Sequence, residues 1–221
     1  MKREIYVIVV AGGSGTRMGA DIPKQFMELD GIPILQRSIE QFVKAMPEAR
    51  IITVLPKNRI QTWKELCVAH SFDCTQQIVA GGITRFHSVQ NALRKVPDGA
   101  IVFIHDGVRP FVSVSLIGRL LEKMQTECAV VPVTPVVDTL TYLDGTVVDR
   151  QQIRAVQTPQ VFFSEDIKSA YQLAYDTSFT DDASVARRKG IPVTLVEGER
   201  LNIKITTPED LTLAGAVLSL Q

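Results

Sequence analysis

The chain has 221 residues and is 45% hydrophobic, enough for a sizeable core and too apolar for a disordered scaffold. Lys+Arg number 24 and Asp+Glu number 24, so the formal charge is zero and no global field draws in nucleic acid or an anionic membrane. Any anionic ligand has to be met by local charge. Cys67, Cys74 and Cys128 are odd in number, form no C-x-x-C pair and have no His at metal-site spacing, so they read as reduced thiols. Lys2 and Arg3 before the apolar run Ile5–Val10 mimic a signal peptide only superficially, because the run is too short. No apolar stretch nears the roughly 20 residues that span a bilayer. The expectation is a soluble cytoplasmic protein, one domain over 1–221.

In chain order, Ile5–Val10 is a continuous apolar run and reads as a buried strand. A long loop follows, and then Ile34, Leu35, Ser38, Ile39, Phe42 and Val43 recur with helical spacing. Ile51–Leu55 reads as a strand, Ile60, Trp63, Leu66 and Cys67 as a helix face, and Ile78–Val79 as a short strand. A Gly81-Gly82 break precedes the helix face Phe86, Val89, Leu93 and the strand Ala100–Ile104. Leu116, Ile117, Leu120, Leu121 and Met124 mark another helix, leading into a strand over Ala129–Val133. Apolar strands separated by helices predict an α/β fold with a mainly parallel sheet covered by helices on both faces.

Between Pro135 and Pro159 the pattern changes. Val136–Tyr142 is β-rich, Asp144-Gly145 is a hairpin signal and Val147-Val148 starts a return strand, which predicts a protruding antiparallel β-arm over 135–158. Val136, Val137, Leu140, Tyr142, Val147 and Val148 would leave a lone hairpin with much exposed apolar surface. Such an arm either covers another subunit or folds back on its own domain. The helical pattern resumes with Ser164 as N-cap and runs through Tyr175; a further helix over Asp181–Lys189 is closed by Gly190 at C′. Val193–Val196 reads as a strand. Thr207 as N-cap, with Pro208 and Asp210 behind it, starts the last helix.

Ligands of open parallel sheets sit at the carboxyl ends of the strands. The first such loop is Ala11-Gly12-Gly13-Ser14-Gly15-Thr16-Arg17-Met18-Gly19. Its glycines let the backbone approach a phosphate, and Arg17 and Lys24 add positive charge. A Walker A loop would end in Gly-Lys-Ser/Thr, and a dinucleotide fingerprint would place its last glycine one residue earlier and an acid after the second strand. Neither fits.

The run Ala11–Met18 followed by Pro23-Lys24-Gln25-Phe26 resembles the signature of nucleotidyltransferases with a Rossmann-like GT-A fold. More narrowly, the chain resembles the 2-C-methyl-D-erythritol 4-phosphate cytidylyltransferase family nearly end to end. Further anchors are Gly81-Gly82 with Arg85 and Ser88, His105–Pro110, Asp138-Thr139, Gln157-Thr158-Pro159-Gln160, Thr180–Ser184 and Asn202–Thr206. Ribitol-5-phosphate cytidylyltransferases share the first loop and the Asn202–Thr206 segment and stand as the alternative, although Arg154–Gln160 and Thr180–Ser184 look more like the methylerythritol enzymes. A non-catalytic nucleotide-binding regulator would lack a charge, whereas Arg17, Lys24, Asp106, Arg109 and Lys204 are all present.

The resemblance implies transfer of a cytidylyl group from CTP to a sugar-alcohol phosphate, with Mg²⁺ as cofactor, in the non-mevalonate route to isoprenoid precursors. It implies Arg17 and Lys24 as catalytic residues, and Ala11, Gly12, Gly13, Gly15, Gly81, Gly82, Ser88 and Asp106 around the nucleotide, with Asp106 also on the metal. Arg109, Thr139, Arg150, Thr180 and Lys204 are the implied acceptor-binding residues. Thr139 and Arg150 would reach a partner's pocket on the arm of a homodimer. Arg85 reads equally as a phosphate ligand and as a helix-surface charge. His105 reads as a packing or hydrogen-bonding group, because the reaction has no proton that must move.

Overall fold

β1 (Ile5–Val10) divides the core in two. Tyr6 and Ile8 join the cluster on one face of the sheet, and Val7 and Val9 the cluster on the other, as the two-residue period of a strand requires. The computed structural model describes residues 3–13 and 22–220. A short hairpin, β2 (Glu28–Leu29) and β3 (Ile32–Pro33), turns through Asp30 and Gly31, both at positive φ. It has no counterpart in the sequence reading, since two-residue strands are too short to show a period.

α1 (Ile34–Ala45), β4 (Arg50–Leu55), α2 (Ile60–Ala69), β5 (Gln76–Ala80), α3 (Arg85–Leu93), β6 (Ile101–Asp106), α4 (Val114–Lys123) and β7 (Ala129–Pro135) follow in the expected order. Next come β8 (Arg154–Val156), β9 (Gln160–Phe163), α5 (Ser164–Ala170), α6 (Asp182–Arg188), β10 (Thr194–Glu197) and α7 (Pro208–Leu218). The sheet runs β10-β7-β9-β6-β1-β4-β5, with β8 paired to β7. β5, β4, β1 and β6 are parallel neighbours, β10 is parallel to β7, and β9 lies antiparallel between β6 and β7. The mainly parallel sheet is thus as predicted. β9 is not, because Val161 and Phe162 are buried on opposite faces and leave no polar alternation to read.

Three local expectations change. Phe163, not Ser164, caps α5; the Ser164 hydroxyl instead accepts the Ala100 N–H at 3.0 Å. The helix ends at Ala170, short of Tyr175, where Tyr171 turns inward to stack on Phe86 with ring centroids 4.7 Å apart. The arm is a narrow hairpin: Thr141 and Val147 form one antiparallel bridge, Tyr142 N–H donates to Thr146 O at 2.8 Å, and Gly145 sits at φ 88°. The strand expected over Val136–Tyr142 contracts to that bridge, and Val137, Tyr142, Leu143 and Val147 are exposed. The capping boxes of Asp181 with Ser184 and Thr207 with Asp210 start α6 and α7, and Gly190 follows α6 at φ 85°. No helix among the described residues is long and apolar enough to cross a membrane.

α7 packs its buried face with Leu29, Ile34, Val108, Phe111 and Ile205. Ile205 N–H donates to Val108 O at 2.9 Å, which brings the segment before α7 against the end of β6.

Candidate active site

The carboxyl ends of β1, β4 and β6 lie side by side, Val10 pairing with both Val54 and Asp106. Each strand hands its loop to a neighbour. Ala11 N–H donates to Val54 O, Gly107 N–H to Val10 O, and Gly81 N–H to Leu55 O, all within 2.8–2.9 Å. Above them opens a cavity of about 420 Å³ lined by Ala11, Gly12, Gly13, Lys24, Gln25, Gly82, Ile83, Arg85, Ser88, Asp106 and Lys204, among others.

The walls are built from main chain held by buried side chains. Gln25 is 1% exposed and donates from Nε2 to the carbonyls of Ala11 at 2.9 Å and Gly13 at 3.2 Å, so it sets the course of the glycine loop. On the opposite wall Ser88 Oγ accepts the Gly82 N–H at 3.0 Å and donates to Thr84 O at 2.9 Å. A Cβ on Gly82 would collide with His87, and one on Gly81 would come 3.0 Å from Ser88 Oγ. Glycine is required at Gly82 because the backbone and α3 approach so closely, and Gly81 leaves little room beside Ser88.

Asp106 is the only carboxylate among the described residues of this lining. Arg85 Nε donates to Oδ1 at 3.2 Å, Lys204 Nζ lies 2.8 Å from Oδ2, and Arg109 Nε is 3.8 Å from Oδ2. Burial alone would push this carboxyl up, but Arg85, Lys204 and Arg109 outweigh it and hold it well below the usual carboxylate range. The cation-rich corner therefore keeps its anion at any physiological pH. Arg85 lines the cavity but is not a free helix-surface charge. Its Nη1 and Nη2 donate to Asp182 at 2.9 and 2.7 Å, and Asp182 also accepts the Tyr171 hydroxyl at 2.6 Å.

Asp106 is also fixed through its backbone. Its N–H donates to Thr158 Oγ1 at 3.0 Å, and Thr158 Oγ1 lies 3.1 Å from His105 Nδ1. His105 is fully buried, sits 3.0 Å by Nε2 from Arg109 O, and is edge-on to Phe42. Burial pushes its pKa down to about 4, so the ring is neutral at pH 7 and acts as the expected hydrogen-bonding support. Gln157 and Gln160 extend the hub: Gln157 Nε2 donates to Glu199 O at 2.8 Å, and Gln160 Nε2 to Asp181 Oδ2 at 2.8 Å.

The fold thus brings Ala11, Gly12, Gly13, Lys24, Gly82, Ser88, Asp106 and Lys204 to one cavity. Gly81 stands one residue behind the wall. Arg109 is nearly buried and donates from Nη1 to Asn202 O at 2.8 Å, bracing the segment that carries Lys204. Thr139, Arg150 and Thr180 are exposed and lie outside the lining; Arg150 Nη1 donates to Val137 O at 2.7 Å, within its own arm. Gly15 and Arg17 lie outside the described residues. Gln25, Thr158 and Asp182 received no role from their residue types alone. Their positions inside the quoted motifs were the available signal.

A family model described as IspD, 2-C-methyl-D-erythritol 4-phosphate cytidylyltransferase, matches residues 5–220. The chain belongs to that family. It is a cytidylyltransferase, and its relatives agree along their whole lengths. The 2-C-methyl-D-erythritol 4-phosphate cytidylyltransferase of Bacteroides fragilis is 48% identical over 214 residues, covering 96% of this chain and 98% of the relative. That of Geobacillus kaustophilus is 38% identical over 218 residues, covering 96% of each. Among solved structures, the Thermus thermophilus cytidylyltransferase superposes with a TM-score of 0.77 at 33% identity, over 98% of this chain and 99% of that one. The Anaerococcus prevotii 4-diphosphocytidyl-2C-methyl-D-erythritol synthase gives 0.83 at 28% identity, over 98% and 99%.

The donor set can be tested against the Mg²⁺ that the resemblance implies. Among the described residues no group of three or more His, Cys, Asp or Glu could hold a metal ion. The residues do not make a protein-built metal centre. The one carboxylate among the described residues of the lining, Asp106, fits a cation that is held mainly by phosphate oxygens and takes a single oxygen from the protein.

Proposed function

We propose that this cavity is where the chain transfers a cytidylyl group from CTP to 2-C-methyl-D-erythritol 4-phosphate, yielding 4-diphosphocytidyl-2-C-methyl-D-erythritol and pyrophosphate in the non-mevalonate isoprenoid route of the cytoplasm. The observation that carries this reading is the meeting of a main-chain glycine cradle, Lys24, Lys204 and Asp106 at the carboxyl ends of adjacent strands. Gly81, Gly82 and Ser88 border the base, with Ala11, Gly12 and Gly13 across from them. A base edge read by main-chain groups is read rigidly, and Gln25 and Ser88 supply that rigidity.

In the chemical step, an oxygen of the acceptor's phosphate monoester bonds to the α-phosphorus of CTP, and the bond to the bridging oxygen breaks as pyrophosphate leaves. No general base is needed, because a phosphate monoester with a second pKa near about 6 is largely ionised at pH 7. Catalysis reduces to alignment and to charge stabilisation at five-coordinate phosphorus. Arg17 and Lys24 supply that charge. Mg²⁺, when bound with the nucleotide, would neutralise part of the triphosphate, with Asp106 as its one protein ligand. Lys204 and Arg109, with Thr180, hold the acceptor phosphate, and Thr139 and Arg150 complete the site from the arm of a second subunit in a homodimer. The exposed apolar residues Val137, Tyr142, Leu143 and Val147 on the arm support that arrangement.

The test is incubation with CTP and Mg²⁺ plus methylerythritol 4-phosphate or ribitol 5-phosphate, reading pyrophosphate release. Turnover with methylerythritol 4-phosphate by a wide margin is expected. Preference for ribitol 5-phosphate would refute the acceptor, and no release with either would refute the activity.

A further inference from the structure

Arg85 places all three guanidinium nitrogens on carboxylates: Nη1 and Nη2 on Asp182, and Nε on Asp106 Oδ1 at 3.2 Å. Asp182 is fully buried and lines no part of the cavity. Its remaining partner is Tyr171, 2% exposed, whose hydroxyl donates at 2.6 Å and whose ring is pinned against Phe86. A buried carboxylate is costly unless fully paired, and this one is paired with a residue that opens onto the nucleotide cavity.

Left to itself, an arginine in the wall of a triphosphate cavity would turn its fork to the phosphates. Here the fork is already filled from behind, and only Nε is presented forward, to Asp106. Lys204 differs: its side chain is 41% exposed, and it holds Asp106 through a single ammonium on a flexible stem. Of the cations on Asp106, Arg85 and Lys204 therefore have unequal freedom. Lys204 is the one that can transfer to an incoming phosphate, and Arg85 stays.

The geometry points to Tyr171, Asp182 and Arg85 as a positioning relay for Asp106, holding its carboxylate toward the nucleotide while keeping the Arg85 fork off the phosphates. The inference rests on reading Asp106 as a nucleotide-binding group. None of the three relay residues is a catalytic residue; they act through Asp106.

CTP affinity by calorimetry, with kcat and KM of pyrophosphate release measured alongside, tests the relay apart from the reaction. Asp182→Asn, which keeps shape but loses the charge, should weaken CTP binding about tenfold, the scale of one charge-assisted bond, with KM for the acceptor little changed. Arg85→Ala should weaken it at least as much, and the double variant should be no worse than Arg85→Ala alone. Arg85→Lys should fail to restore affinity, because one ammonium cannot span both carboxylates. Losses that multiply in the double variant, or full rescue by Arg85→Lys, would overturn the relay. If Asp182→Asn does not fold, Tyr171→Phe keeps the ring and removes only the hydroxyl. Its smaller loss of CTP affinity should vanish in the Arg85→Ala background, and persistence there would overturn the relay equally. A wild-type chain that binds CTP but releases no pyrophosphate would sink the proposed activity while the affinity comparison still judged the relay.

Discussion

Gln25 offers a sharp test of how the cavity is built. Its amide is the link between the turn at Lys24–Phe26 and the carbonyls of Ala11 and Gly13, and it is 1% exposed. Gln25→Leu keeps nearly the same volume and removes both hydrogen bonds. At about 1 kcal/mol net for each, with more where a carbonyl is left buried without a donor, the loss is about 2–3 kcal/mol. For a domain of this length that corresponds to a fall in melting temperature of roughly 4–12 °C. Where the loop relaxes to recover solvent instead, the same energy appears as CTP binding weaker by roughly 30- to 150-fold. Thermal unfolding followed by circular dichroism and the KM for CTP measure the two shares. Gln25→Glu should be worse than Gln25→Leu, since an ionised carboxylate meets two carbonyl oxygens with no hydrogen to give. A Gln25→Leu protein that melts within about 1 °C of wild type and keeps its KM for CTP would refute the claim that this amide shapes the loop.

Lys24→Ala or Arg17→Ala should lower turnover by roughly 10²–10³-fold with folding intact, the scale of losing one transition-state donor, and near-normal pyrophosphate release would remove that residue from the mechanism. His105 carries a signed pH dependence. Its folded pKa of about 4 lies below the ordinary 6.5, so its contribution is full above pH 6.5 and is lost as pH falls toward 4. Urea unfolding should show stability falling by about 2 kcal/mol between pH 7 and pH 5 through this group. His105→Gln should flatten that slope; an unchanged slope would mean the ring is not held neutral. Mixing Arg150→Ala with Lys24→Ala protein should recover about a quarter of wild-type turnover if arms are exchanged in a two-fold dimer with random subunits. Activity no higher than either variant alone would mean that each protomer completes its own site.

The sequence by itself determined the layers, the order of most elements and the place where chemistry is done. Runs such as Ile5–Val10 and Ile101–Ile104 are short, apolar at every position and rich in β-branched residues, which suits a strand covered on both faces, and glycines stand where these strands end. The local signals of helix starts, such as Thr207-Pro208-Glu209-Asp210, were equally legible because a capping box closes within four residues. What escaped was whatever depends on partners distant in the chain. β9 inserts between β6 and β7, and no local period announces a strand buried on both sides after a cis Thr158-Pro159 bond. Nothing near Arg85 in the chain marks Asp182, 97 positions away, as the partner of its fork. Lys204 and Asp106, likewise, are paired by the packing of Ile205 and α7 against the end of β6, and by nothing in their own neighbourhoods. Burial patterns and caps are written into adjacent residues, so a chain displays them before it folds. The partner of a buried charge exists only once tertiary packing has removed water and left that charge a single place to go.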